Sequence, residues 1–174
     1  MWYLSGPNYI GGGFGPTLPH GWDITAVADF NGDGHPDYVL CKTSTRQTVI
    51  AYLHNRDVIG AGFGPTLSGG WGLVGVADFN RDGHPDYLTW NVMTGETVIL
   101  YLSDRTLLGE APGPTIPPGW TLVGTGDFDR DGSPDFLLYR VNTGQTAIWY
   151  VHDNVYVSSA VGPVIPAGWT LLVP

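Results

Sequence analysis

Three nine-residue segments gather most of the acidic side chains of this sequence. They are Asp29-Phe30-Asn31-Gly32-Asp33-Gly34-His35-Pro36-Asp37, Asp78-Phe79-Asn80-Arg81-Asp82-Gly83-His84-Pro85-Asp86 and Asp127-Phe128-Asp129-Arg130-Asp131-Gly132-Ser133-Pro134-Asp135. Positions 1, 3, 5 and 9 carry Asp or Asn in every copy. Such spacing suits Ca²⁺, which takes six to eight oxygen ligands in flexible geometry. Gly at position 6 permits a tight turn without a Cβ clash. Pro at position 8 holds the preceding residue extended, so its backbone carbonyl is free to face the ion. His35, His84 and Ser133 are therefore expected to contribute through their carbonyls. The closing Asp is expected to bind bidentately. An EF-hand is ruled out, because it needs a Glu at position 12 between helices. Position 12 here is Leu40, Thr89 or Leu138. A turn-rich loop without metal is the competing reading, since Asp, Asn and Gly favour turns. Three copies that keep all four oxygen positions argue against it, because close carboxylates repel unless a cation joins them.

The elements that must position these loops form a repeat. Trp22, Trp71, Trp120 and Trp169 stand 49 residues apart, each after a Gly. Pro16, Pro65, Pro114 and Pro163 keep that step, and so do Tyr3, Tyr52, Tyr101 and Tyr150. Each unit reads as four short strands. In the second they are Leu73–Ala77, Tyr87–Val92, Thr97–Leu102 and a weaker segment ending near Pro114, with a hairpin turn at Met93–Glu96. No stretch has helical periodicity with caps. Four strands per unit of this length is the pattern of a β-propeller blade. The expected fold is all-β, with a half-blade over 1–21, blades over 22–70, 71–119 and 120–168, and a lone first strand over 169–174. Such a partial ring exposes strand edges. A homodimer closing the ring head to tail is expected, over a four-blade ring or a fragment of a longer chain.

The composition fits these sites. The 174 residues hold 16 acidic and 7 basic side chains, a net charge of −9. The loops own ten of the acidic ones. No basic face exists for nucleic acid, and no apolar run approaches the ~20 residues of a membrane-spanning helix. Aromatics make up 13%, which argues against disorder. The lone Cys41 excludes an internal disulfide and a Cys-rich zinc site, and it reads as a packed small residue.

The Ala28–Gly34 and Pro36-Asp37 segments resemble FG-GAP (VCBS-type) repeats, known from integrin α-subunit propellers and many bacterial secreted proteins. The resemblance covers nearly the whole chain. It implies that each loop joins the first two strands of a blade and binds Ca²⁺. Propellers of this kind usually have seven blades, twice the number here. The Phe-Gly-x-Ala-Pro element is altered: Phe14-Gly15-Pro16 and Phe63-Gly64-Pro65 are degenerate, and Pro112-Gly113-Pro114 and Val161-Gly162-Pro163 lack the Phe.

Other groups carry less. Gly11–Gly15 precedes no helix, so it is no phosphate loop. His20, His54 and His152 match no motif, and no Ser-His-Asp grouping stands out. The Trp series is expected to pack between blades. Trp90, Trp149 and Tyr156 are the candidates for stacking on a sugar. The expected function is a non-catalytic Ca²⁺-binding propeller for binding or scaffolding, with a glycan or protein ligand. A lectin-like module is the first alternative. A propeller piece of a secreted polysaccharide-degrading enzyme, working through a carboxylate such as Glu96 or Glu110, is the second. Such loops suit the millimolar Ca²⁺ outside cells. A secreted parent is expected, although Met1 runs straight into a strand without a signal peptide.

Overall fold

The structure, a computed structural model, describes residues 2–166, 168, 169 and 171. Among these there are fourteen β-strands and no helix. β1 (Trp2–Ser5) and β2 (Asn8–Gly12) form a two-stranded sheet. The first blade holds β3 (Asp23–Ala28), β4 (Asp37–Lys42), β5 (Gln47–His54) and β6 (Asp57–Thr66). The second holds β7 (Trp71–Ala77), β8 (Asp86–Asn91), β9 (Thr97–Ser103) and β10 (Thr106–Pro112). The third holds β11 (Thr121–Gly126), β12 (Asp135–Arg140), β13 (Gln145–His152) and β14 (Val155–Val164). Within each blade the strands follow chain order, and every neighbouring pair is antiparallel. The arrangement is an open run of propeller blades. The expected strand after Trp169 falls largely outside the described residues. Trp169 and Leu171 are described and lie in no strand.

The cores lie between blades. Phe30, Val39, Ile50 and Leu67 of the first blade pack with Tyr87 and Leu102 of the second. Phe79, Leu88, Ile99 and Ile116 of the second pack with Leu122, Phe136 and Leu138 of the third. The second and third strands of a blade are covered on both faces, so they read as near-continuous apolar runs. The first strands of neighbouring blades touch, β3 against β7 and β7 against β11. This crowding explains their small residues: a Cβ on Gly75 would stand 2.8 Å from Thr125 Cγ2. The Trp series serves the same seams in part. Trp120 is half-buried and packs on the cluster between the second and third blades, and Trp22 is half-buried against Leu40, Ala51 and Leu53 of its own blade. Lys42 lies over the Trp22 ring and Arg140 over the Trp120 ring, at 6.0 and 4.6 Å.

The turn between the second and third strands is tied to the next connection. Ile116 N–H donates to Gly95 O at 2.7 Å, and Ile165 N–H donates to Gly144 O at 2.7 Å. Gly95 has φ +78°, and a Cβ there would stand 2.3 Å from Ile116 O. Gly95→Ala therefore meets a left-handed backbone and a carbonyl together. It should lower unfolding stability by at least about 1 kcal/mol, read from urea melts. An unchanged midpoint would refute this account of the turn.

Candidate metal centre

Each Asp-rich loop joins the first and second strands of its blade, as expected: β3 to β4, β7 to β8, and β11 to β12. The position-1 Asp reaches across its own turn. Asp29 Oδ2 accepts Gly34 N–H at 2.8 Å, Asp78 Oδ2 accepts Gly83 N–H at 2.8 Å, and Asp127 Oδ2 accepts Gly132 N–H at 3.1 Å. These three glycines have φ between +84° and +89°, the left-handed region that a side chain resists.

The position-9 Asp has a part that spacing alone does not suggest. Its two oxygens accept two backbone N–H groups, one from position 2 of its own loop and one from the third strand. Asp37 takes Phe30 and Leu53, both at 2.9 Å. Asp86 takes Phe79 at 3.0 Å and Leu102 at 2.8 Å. Asp135 takes Phe128 at 2.9 Å and Val151 at 3.0 Å. All three carboxylates are buried. Each one staples the loop to the middle of the blade. The only sequence trace of this is the constant 16-residue step from the Asp to its third-strand donor.

Positions 3 and 5 differ between copies. Asn31 and Asn80 donate Nδ2–H to Asp33 and Asp82 at 3.1 and 2.9 Å, and accept their backbone N–H groups, each at 3.0 Å. In the third loop Asp129 has no amide to donate. Asp131 turns instead to His152 Nδ1, 3.3 Å away. The third loop brings Asp127, Asp129 and Asp135 together, with one carboxylate oxygen from each inside 4.8 Å. A carboxylate oxygen that holds one N–H keeps a second lone pair, so this donor set fits a hard cation such as Ca²⁺.

At position 7, His35, His84 and Ser133 each donate their backbone N–H to the position-5 Asp, at 2.9, 2.9 and 2.6 Å. The His35 and Ser133 side chains turn to other partners. The His35 ring meets the His54 ring edge-on at 4.2 Å. Ser133 Oγ accepts from Arg81 of the preceding blade and lies 3.1 Å from His152 Nδ1. His152 Nε2 lies 3.6 Å from Asp153. The sequence does not reveal this Ser-His-Asp neighbourhood, since the residues match no motif. Ser133 is 3% exposed, and its hydroxyl lies between Arg81 and His152.

Position-2 Phe side chains reach the next blade. Phe30 meets Tyr87 edge-on at 6.1 Å, and Phe79 meets Phe136 at 6.4 Å. Phe128 meets no such partner among the described residues and is 41% exposed.

The electrostatics repeat with the loops. Burial pushes Asp37, Asp86 and Asp135 up, Asp86 to about 6, against the downward pull of their N–H donors. The exposed position-5 groups are held low: Asp33 and Asp131 chiefly by the N–H of residue 7, Asp82 chiefly by Asn80. A raised folded pKa gives stability that is full below the unfolded value and lost as pH rises through the folded value. The position-5 groups act the opposite way, but only below about pH 4. In chelator, the protein should melt higher at about pH 5 than at about pH 7, and Asp86→Asn should flatten that slope. Melting that rises with pH over this window would contradict the burial argument.

The FG-GAP-like repeat matches residues 29–89 and 78–138, overlapping matches that span both loop-to-loop intervals. No curated protein matches the chain. Among solved structures, the chain is similar to a crystal structure at 1.35 Å of a protein of unknown function from Bacteroides caccae. The identity is 14% and the TM-score 0.50, over 83% of this chain and 48% of that one. The chain thus spans about half the length of that structure, and the likeness is one of fold. With the repeat matched over more than half of its residues, the chain belongs to the FG-GAP-like repeat family.

Proposed function

We propose that this chain is a non-catalytic, Ca²⁺-stabilised propeller module that works outside cells as a binding or scaffolding unit. The observation that carries the proposal is the convergence of Asp127, Asp129 and Asp135 in one loop. Two further loops keep the same framework. The first ion is held by Asp29, Asn31, Asp33, the His35 carbonyl and Asp37. Asp78, Asn80, Asp82, the His84 carbonyl and Asp86 hold the second. Asp127, Asp129, Asp131, the Ser133 carbonyl and Asp135 hold the third. The ion neutralises carboxylates that otherwise repel, and three ions take the formal charge from −9 to −3. Its role is structural. In the first two loops it fastens a segment whose Phe already packs on the next blade. Extracellular Ca²⁺ levels match the affinity of such modules, on the order of 0.1 to 1 mM. Among the described residues no helix is long and apolar enough to cross a membrane.

Calorimetric melting with about 5 mM Ca²⁺ against chelator tests the assignment. At a tenfold excess over the dissociation constant, each site adds about 1.4 kcal/mol, a rise of several degrees in Tm. Asp127→Ala should remove one site's share. An identical Tm in both buffers would overturn the metal assignment.

The same reading has a second copy closing the ring head to tail. Phe128 supports it, since its counterparts Phe30 and Phe79 are buried by the next blade. Sedimentation in Ca²⁺ buffer should give a dimer mass that Phe128→Asp reduces to a monomer. A strictly monomeric wild type would overturn this part and leave the metal assignment standing.

A further inference from the structure

We propose that the third Asp-rich loop makes self-association depend on Ca²⁺: an ion held there fixes Phe128 for docking onto β1 and β2 of a second copy. The proposal rests on the reading of the chain as a Ca²⁺-stabilised module that closes head to tail. It adds which of the three sites governs the closure.

The uncovered face of the third blade is half of a seam. In the first blade Phe30, Val39, Ile50 and Leu67 are buried against the second. Their counterparts Phe79, Leu88, Ile99 and Ile116 are buried against the third. No member of either set is more than 6% exposed. The third blade carries the same set one repeat further on, as Phe128, Leu137, Ile148 and Ile165. Phe128 is 41% exposed, and the other three are half-buried. A second series breaks off at the same place. Tyr52 O–H donates to Asp104, and Tyr101 Oη accepts from Asn154, both partners standing in the last hairpin turn of the next blade. The Tyr150 hydroxyl has no such partner among the described residues.

A following blade covers such a face, and the other end of the chain carries the matching pieces. Leu102 and Val151, on third strands, close the two inner seams and are buried. Their counterpart on β1 is Leu4, which is 58% exposed. The turns agree with this match. Arg56 and Arg105 lie so close to Gly13 and Gly62 that a Cβ on either glycine would stand 1.9 Å from the guanidinium. The corresponding residue of the third blade is Ala160, which has that Cβ. The corresponding turn residue between β1 and β2 is Pro7, which has no long side chain to displace. The β1–β2 pair therefore suits this face, where a turn with Arg would crowd it. The chain does not use the fit on itself, because β1 and β2 do not pack on the third blade. A second copy is the occupant. Its half-blade offers two strands in place of four, so the new seam is smaller than the inner ones, with a Kd on the order of 10 µM.

Ca²⁺ acts through Phe128. This residue stands between Asp127 and Asp129, and its N–H donates to Asp135 at 2.9 Å. The carboxylates that converge in this loop thus flank the segment that carries the ring. Left alone they repel and spread the loop. Joined by an ion they hold the Phe128 backbone from both sides. Phe30 and Phe79 are already held by the next blade, so ions in the first two loops add little to docking. By linkage, a docked second copy must raise the Ca²⁺ affinity of the third loop by the factor by which Ca²⁺ strengthens docking.

The test is sedimentation equilibrium of the full chain over a concentration series, in about 5 mM Ca²⁺ and in chelator. The Kd for self-association should be at least about fivefold higher in chelator. In Ca²⁺, Asp127→Ala should weaken association by a similar factor. Asp29→Ala removes an ion beside a ring that is already buried, and should weaken it by less than about twofold. Leu4→Asp alters an exposed side chain at the other end of the chain. It should keep the fold, with a wild-type melt, and abolish association in both buffers. Equal Kd values in the two buffers, equal weakening by Asp29→Ala and Asp127→Ala, or association that survives Leu4→Asp would each overturn the proposal. The failures are separable. A Tm that rises with Ca²⁺ beside a Kd that ignores it loses only the coupling. A dimer that forms equally in both buffers with no change in Tm loses the metal and the coupling but keeps the docking. A chain that stays monomeric at every concentration loses the docking and the coupling, while the Tm comparison still decides the metal.

Discussion

A blade of this protein cannot bury its own faces, and the rest of the structure follows from that constraint. A lone four-stranded sheet has two apolar faces and no helix to cover either. The neighbouring sheets supply the cover. Phe30 finds Tyr87 and Phe79 finds Phe136, and the clusters around these pairs contain residues of two blades each. Stability is therefore shared along the chain, as in other repeat architectures. The same constraint sets residue size at each depth. The crowded inner strands carry Gly and Ala, with Gly75 against Thr125. Large side chains sit on the middle strands, where the sheets face each other at full width.

The Asp-rich loops are built into this packing. Position 2 supplies the Phe that enters the seam, and position 9 supplies the buried Asp that fastens the loop to the third strand. The seam and the candidate cation site thus share a nine-residue segment, so neither changes independently of the other. Hydrogen bonds from two backbone N–H groups make each buried carboxylate tolerable, while burial still raises its pKa. Arg81 of the second loop adds a link to the next blade, where it reaches Ser133. The corresponding residue of the first loop is Gly32.

Much of this was legible in the residues. The 49-residue step, the strand alternation and the loop positions locate every described blade, and the observed strand ends fall within one or two residues of those expected in the second blade. The candidate ligands are local in sequence, so a short pattern suffices to find them. Less legible were contacts whose partners stand far apart: the staple from Asp86 to Leu102, the edge-on contact of His35 with His54, and the grouping of Ser133 with His152. These depend on strand register, and a single short motif does not carry register.

The sequence by itself determined the repeat, the all-β class and the loop chemistry, because each is written in residues close along the chain and copied three times. Tertiary structure decided what each copy became. It buried Phe30 and Phe79 and left Phe128 exposed, although the three are the same residue in the same motif. It made the position-9 Asp a staple as well as a candidate ligand. The physical reason is that exposure and pairing are properties of two sheets meeting, and the meeting exists only in the folded chain.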